Sequence, residues 1–329
     1  MTTTARLRAF VAVDETGSVR AAAQRLVVTE SAVSAAITAL TKEVGVPLIE
    51  REGRGLRLTA SGRTFASYAR TILGLHEQAL TATRGDVDPE HGRVRVAAVT
   101  TAGEHVLPRT LVAFRRRYSG IDLRLEVGTS ERVWRLLATY DTDLVIAGRP
   151  PADLEGFVVH AVRPNELLAV AAPELADDLD LARVTWLLRE VGSSTRTTCE
   201  ALLAGLELDP PRLTLGSNGA VVAGAVAGLG VTLLSHDAVT RQLADGELIE
   251  VPVPGTPLHR QWHAVTHRQS SASAGLFLQE LLADGGEPVG EGRGPVGEGT
   301  GPVGEGRGPV GEGTGPARWR RPGSGRDRR

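Results

Sequence analysis

Apolar positions at the start of the chain recur in steps of three and four. Within residues 4–15, Leu7, Phe10 and Val11 make one stripe of a helix. Gly17 stops it, and Ser18 has the character of an N-cap for a second helix, Val19–Leu26, with Ala21, Ala22 and Leu26 turned inward. A brief turn through Val27 and Val28 leads to Thr29, a further cap. From there Val33, Ile37, Leu40 and Val44 form an apolar stripe that Gly45 closes. Two short extended pieces follow in VPLIEREGRGLRLTASG, turning at Gly53 and Gly55. Residues 61–84 then read as one long helix, in which Phe65, Tyr68, Ile72, Leu75, Ala79 and Ala82 alternate at steps of three and four. That average is the spacing of a two-helix seam. Packing against the chain's own body satisfies the same spacing.

Beyond residue 92 the period changes. RVRVAAV, DLRLEVG and DLVIAG are short β-rich runs, separated by the helical patterns LPRTLVAFRRRY and ERVWRLLATY. A second set follows: NELLAVAA, the helix TRTTCEALLAGL, RLTLGS, the helix NGAVVAGAVAGLG and VTLLS. RQWHAVTH and SASAGLFLQELLAD bring the chain back. Strand and helix in alternation predict an α/β domain with a parallel sheet, in two similar halves. Residues 285–329 are different in kind. GPVGEGR and GPVGEGT repeat in tandem and end in ARWRRPGSGRDRR, a basic cluster around Trp319. Gly/Pro repeats with one apolar residue each do not bury enough surface to offset ordering, so this tail is expected to be disordered. Its basic end suits either an accessory DNA contact or no role.

A helix, a short turn and a second striped helix make the helix-turn-helix pattern. The DNA major groove is about 12 Å wide, so a helix entering it needs a slim outer face. Thr29, Glu30, Ser31, Ser34 and Ala35 provide one, with Ser18 at the start of the supporting helix. The extended pair after it reads as a wing whose Arg51, Arg54 and Arg57 suit a phosphate backbone. A purely structural helical domain fits the spacing as well. In the α/β region, small polar segments end the predicted strands where ligands of such sheets bind. They are Thr100-Thr101-Ala102, Gly128-Thr129-Ser130, Gly192-Ser193-Ser194-Thr195 and Gly216-Ser217-Asn218. Hydroxyls and amides converging there suit a small anion, although each segment singly also suits helix capping.

Charge sharpens this division. The net charge of −2 hides 11 basic and 7 acidic residues in positions 1–85, against 26 and 32 in the remainder. A positive end on an acidic body fits a nucleic-acid-binding module joined to a domain of another purpose. Cys199 is the single cysteine, so no intrachain disulfide forms. The N-terminal apolar stretch is broken by Asp14 and Glu15, unlike a secretory signal, and no run is long enough to span a membrane. The expected location is the cytoplasm. GLGVTLL lacks a third glycine and does not follow a strand, which argues against nucleotide binding. His259, His263 and His267 lie in a β pattern, where four residues span roughly 13 Å, too far to share one metal. Neither a cofactor nor a metal nor a catalytic grouping is expected.

The order of residues adds a resemblance. SVRAAAQRLVVTESAVSAAITALTKEVGVPLIEREGRGLRLTASG resembles the winged helix-turn-helix of LysR-type transcriptional regulators. The matching positions are Ser18, Ala22, Ala23, Leu26, Ala32, Val33, Ser34, Leu40, Gly45, Leu48, Ile49, Arg51, Leu58, Thr59 and Gly62. Three dipeptides depart from the family: Glu30-Ser31 in place of Gln-Pro, Ala35-Ala36 in place of polar or basic residues, and Leu40-Thr41 in place of Leu-Glu. The resemblance implies a DNA-binding domain over 1–60, a dimerising linker helix over 61–84, and an effector-binding domain over 92–284 of the type II periplasmic-binding-protein kind. Its subdomains would be 92–162 with 265–284, and 163–264. It also implies a homodimer or homotetramer on a dyad-symmetric double-stranded DNA site, with a small metabolite in the cleft. TTAGEHVLPRTLVAFRRRY is similar to the branch regulating cysteine biosynthesis and carbon assimilation. The competing reading is an enzyme or solute-binding protein with a Rossmann-like body and a helical oligomerisation segment.

Overall fold

The computed structural model describes residues 2–53, 55–152, 156–175, 179–283 and 318–320. Three helices open the chain: α1 (Thr4–Thr16), α2 (Val19–Leu26) and α3 (Glu30–Val44). Each begins on a hydroxyl cap, with Thr3, Ser18 and Thr29 accepting from the amides of Arg6, Ala21 and Ala32. Gly17 and Gly45 close α1 and α3 in the left-handed conformation, whereas Val27 takes that conformation at the end of α2. Leu7, Phe10, Leu40, Leu48 and Leu58 form one small core, and Ala9, Ala12, Val13, Ala22, Ala23 and Val33 a second beside it. The expected stripe on α3 packs on the core as far as Leu40, whereas Val44 is 38% exposed. Strands β1 (Ile49–Glu52) and β2 (Gly55–Leu58) pair antiparallel as the wing.

Helix α4 runs from Ala60 to Val87, longer than the expected 61–84. One side packs on the N-terminal core through Ala66 and Ala69, and Phe65 meets Phe10 edge-on at 5.4 Å. Phe65 thus belongs to the core and not to a free seam. Tyr68, Ile72 and Leu75 are exposed on the other side.

The rest of the chain is built on one continuous sheet. Strands β3 (Arg93–Val99), β4 (Asp122–Gly128) and β5 (Leu144–Ala147) are parallel, with α5 (Pro108–Arg117) and α6 (Ser130–Ala138) between them. The long β6 (Phe157–Ala171) leaves this subdomain. The next unit holds β7 (Trp186–Leu188), α7 (Ser194–Gly205), β8 (Arg212–Thr214), α8 (Asn218–Val226), β9 (Val231–Ser235), α9 (His236–Ala244) and β10 (Ile249–Glu250). Strand β11 (Leu258–His267) returns antiparallel to β6, and α10 (Ala272–Ala283) packs on the first subdomain. The strand order is β4-β3-β5-β11-β6-β9-β7-β8, with β10 beside β6. Among the described strands β6 and β11 alone are long enough to serve both halves, and the cleft lies between those halves. Among the described residues no helix is long and apolar enough to cross a membrane. The tandem repeats lie outside the described residues.

Candidate functional site

The outer flank of α3 is open. Thr29, Glu30, Ser31, Ala32, Ser34 and Ala35 are all exposed, while Val33 and Leu40 on the opposite side are buried. The reason is periodic: Val33, Ile37 and Leu40 share one face at steps of four and three and pack on the core, so Glu30, Ser31, Ser34 and Ala35 lie on the other side. Thr29 also bonds Ser31 at 2.9 Å, which holds the two hydroxyls together at the first turn. Ser18 is half-buried and its hydroxyl is engaged in capping α2, so its contribution is to fix the supporting helix.

The wing is less basic than its sequence promised. Arg57 is held by Glu50 at 2.7 Å and by Glu52 at 3.1 Å, across the two strands. The Glu50 hydrogen bond and both carboxylate charges raise its pKa. Its charge is thereby offset, and a phosphate contact at Arg57 has to displace these exposed carboxylates. Arg51 is exposed, with no ion pair among the described residues. Arg54 lies outside the described residues.

The second site is a narrow cleft with a cavity volume of about 20 Å³, lined by Thr100, Thr101, Thr129, Ser130, Ser193, Ser194 and Thr195. Seven of the ten expected effector residues therefore meet. The helical turn Ala102–Val106, α6 and α7 all begin here. Thr129 caps α6 by accepting from the Arg132 amide, but Ser193 makes no such bond to α7. The first amides of α7 thus lack a side-chain cap, which is the arrangement that attracts anions. The two sides are close: a Cβ placed on Gly192 would stand 3.3 Å from a Glu131 carboxylate oxygen.

Three expected residues fall elsewhere. Ala102 is fully buried in the core of the first subdomain. Ser217 is exposed and caps α8 through the Ala220 amide. Asn218 is buried behind the lining, where its Oδ1 accepts from Arg189 at 2.9 Å.

Arg189 and Trp262 line the cleft and were not anticipated. Arg189 is 5% exposed. It donates to Thr100 Oγ1 of the first subdomain at 3.3 Å, to Asn218 of the second, and twice to Glu190 at 2.8 and 2.7 Å. Burial pushes Glu190 upward, but the Arg189 bond, a backbone bond and the Arg189 charge outweigh it and leave its pKa lowered. The available signal was a charged pair, Arg189-Glu190, directly ending the apolar run WLL. Nearby, Arg260 donates to Thr198 Oγ1 at 2.8 Å, and burial lowers its pKa. Trp262 donates to Asp237, which also receives a two-pronged bond from Arg163 at 2.6 and 2.9 Å. Burial pushes the Cys199 thiol up to about 12, so this cysteine is inert at neutral pH. Among the described residues no group of His, Cys, Asp or Glu is arranged to hold a metal.

Two family models match this layout. Residues 4–63 match the bacterial regulatory helix-turn-helix protein of the lysR family, and residues 88–285 match the LysR substrate binding domain. The HTH-type transcriptional regulator CbbR of Xanthobacter flavus is 35% identical over 287 residues, 84% of this chain and 86% of that protein. A RuBisCO operon transcriptional regulator of Allochromatium vinosum is 32% identical over 292 residues, covering 85% and 95%. The HTH-type transcriptional activator CmpR of Synechocystis is 30% identical over 284 residues, covering 83% and 93%. Among solved structures, CbnR, a LysR family transcriptional regulator, superposes with a TM-score of 0.60 at 20% identity, covering 85% of this chain and 98% of that one. Full-length OxyR C199D from Pseudomonas aeruginosa gives 0.63 at 18% identity, covering 85% and 94%. With both of its domains matched and its open α3 flank in place, the chain belongs to the LysR family of DNA-binding transcriptional regulators and is not an enzyme.

Proposed function

We propose that this regulator binds a dyad-symmetric promoter site as a dimer or tetramer paired through α4, and that a small anionic metabolite in the cleft sets its state. The observation that carries the effector class is Arg189, a buried guanidinium at the meeting of two subdomains and of an uncapped α7. An anion entering there meets the free amides of α7, and it gains a charge-assisted bond from Arg189 by displacing the Glu190 carboxylate now paired with it. Because Arg189 bonds Thr100 on one side and Asn218 on the other, a ligand competing for it alters how the halves close about β6 and β11. A ligand that prefers one closure shifts the population of states. The oligomer turns that shift into a different spacing and bend of DNA. Pairing through α4 is supported by its exposed Tyr68, Ile72 and Leu75. DNA binding of this kind belongs in the cytoplasm. Relatives named for the RuBisCO operon favour targets in carbon assimilation.

The test is a gel shift with dyad-containing intergenic DNA and a random duplex at two salt concentrations, with and without a panel of phosphorylated and carboxylate metabolites. Dyad DNA is expected to bind much more tightly, with affinity falling steeply as salt rises. At least one anion is expected to change mobility or affinity. Equal binding to every duplex overturns the operator reading. Responses only to neutral or cationic metabolites overturn the anionic effector.

A further inference from the structure

The C-terminal Arg318–Arg320 segment rests on the strand that joins the two subdomains. Arg320 pairs antiparallel with Val162 of β6 by two backbone hydrogen bonds, each residue donating to the other's carbonyl. Trp319 is 4% exposed and belongs to the first subdomain's core, with Trp262, Ala161 and Val265 among its members. Its neighbours Arg318 and Arg320 point outward and are exposed. Alternation of exposed, buried and exposed is what a strand laid on a sheet shows.

Strand β6 explains why this place is available. One edge pairs with β11 over Phe157–Leu167, and the opposite edge pairs with β9 only from Leu167 to Val170. Over residues 157–166 that second edge has no other strand partner among the described residues. A bare edge is a template for a further strand. Val162 pairs with His263 on one side and Arg320 on the other, so the segment occupies this edge at Val162.

We propose that the bare edge of β6 is a docking site whose occupant is the chain's own Arg-Trp-Arg segment, anchored by Trp319. The 34 residues between Ala283 and Arg318 reach at most roughly 110 Å when extended, so length does not oppose docking in the same chain. Trp319 Nε1 has no hydrogen-bond partner in its buried position. An indole N–H left unsatisfied weakens the anchor, which suits a segment that docks and releases. The docked strand braces β6 one residue from Arg163, whose Asp237 partner also holds cleft-lining Trp262. Docking and cleft closure therefore act on the same crossing strand.

Hydrogen exchange on the full-length protein tests this without DNA or effector. In Trp319→Ala, peptides spanning 157–163 are expected to exchange about 10-fold faster than in the parent, with β3 unchanged. Trp319→Phe, which keeps an apolar anchor, is expected to retain most of the protection. A double variant, Val162→Cys with Arg320→Cys, places two thiols directly opposite across an antiparallel pair, at a separation a disulfide spans. Oxidation is expected to give a cross-link that migrates as a single chain. Identical exchange in the parent and Trp319→Ala, or no cross-link, overturns the docking site. A cross-link that joins two chains overturns the same-chain occupant.

Discussion

Gly74 on α4 lies so close to Thr139 that a Cβ placed on it would stand 2.1 Å from the Thr139 carbonyl oxygen and 2.6 Å from the Tyr140 Cβ. This notch seats the linker helix on the effector domain. Gln78, one turn further, donates to the Gln269 carbonyl at 2.7 Å. On the same and neighbouring turns of α4, Arg70 pairs with Asp14, and Arg8 with Glu77 at 2.8 Å, fastening α4 to α1. One helix thus touches both functional domains through short-range contacts.

Gly74→Ala forces the two surfaces apart. A strained contact of this kind costs about 1–3 kcal/mol, so denaturant titration is expected to show a lower midpoint. Specific DNA affinity is expected to persist, because the α3 flank is remote from the notch, while the effector response weakens. An unchanged midpoint and response would remove the notch from the coupling path.

Val27 has φ 55° and is 90% exposed. A β-branched residue in the left-handed region costs about 1–2 kcal/mol and gains nothing from burial here. Val27→Asn is expected to stabilise the N-terminal domain by about 1 kcal/mol in thermal unfolding. A loss of stability would show that Val27 makes contacts outside this chain's own fold.

Ser34→Arg places a long cation on the open flank of α3. The preference for dyad DNA over random duplex is expected to fall at least about 10-fold, since each good base contact is worth about 1–3 kcal/mol of discrimination. The oligomer, read by light scattering, is expected to remain. A preserved preference in gel shifts would move the recognition surface elsewhere.

Arg189→Gln keeps hydrogen bonding but removes the charge. Affinity for an anionic effector is expected to drop about 10- to 100-fold, following the about 1.5–3 kcal/mol of a charged hydrogen bond. Thr101→Val is expected to blunt the response by a smaller amount. Calorimetry with the anion found in the gel-shift panel measures both, and parent-like affinity in Arg189→Gln would remove that side chain from the site.

His267 stacks on Tyr140 at 3.8 Å. Burial pulls its pKa down to about 4, against smaller opposing contributions from the Leu137 backbone and Asp143, with Arg95 adding to the depression. The unfolded chain takes up this proton near pH 6.5, whereas the folded chain does so only near 4. Stability is therefore expected to fall as pH drops from about 6.5 to about 4, and this contribution levels off below that. His267→Phe keeps a ring against Tyr140 and is expected to flatten the slope in urea titrations. An unaltered slope would assign the acid sensitivity to other groups.

The N-terminal module was legible in the sequence because its information is local. Hydroxyl caps at Ser18 and Thr29, the Gly17 and Gly45 stops, and Val33 with Leu40 two turns apart act within one or two helical turns. The alternation of strands and helices was local as well, and so were the polar strand ends from Thr100 to Thr195 that meet in the cleft. Chain segments far apart in sequence decided the rest. Arg57 is offset because strand pairing brings Glu50 opposite it, and Arg189 reaches the cleft because Thr100 and Asn218 close around it. Gly74 is a notch only because Thr139 is there, and Trp319 is an anchor only because one edge of β6 is bare. Periodicity and capping are properties of a short stretch of backbone. Burial of a charge, its neutralisation and the closeness of two surfaces depend on which distant segments meet, so the tertiary structure alone determined them.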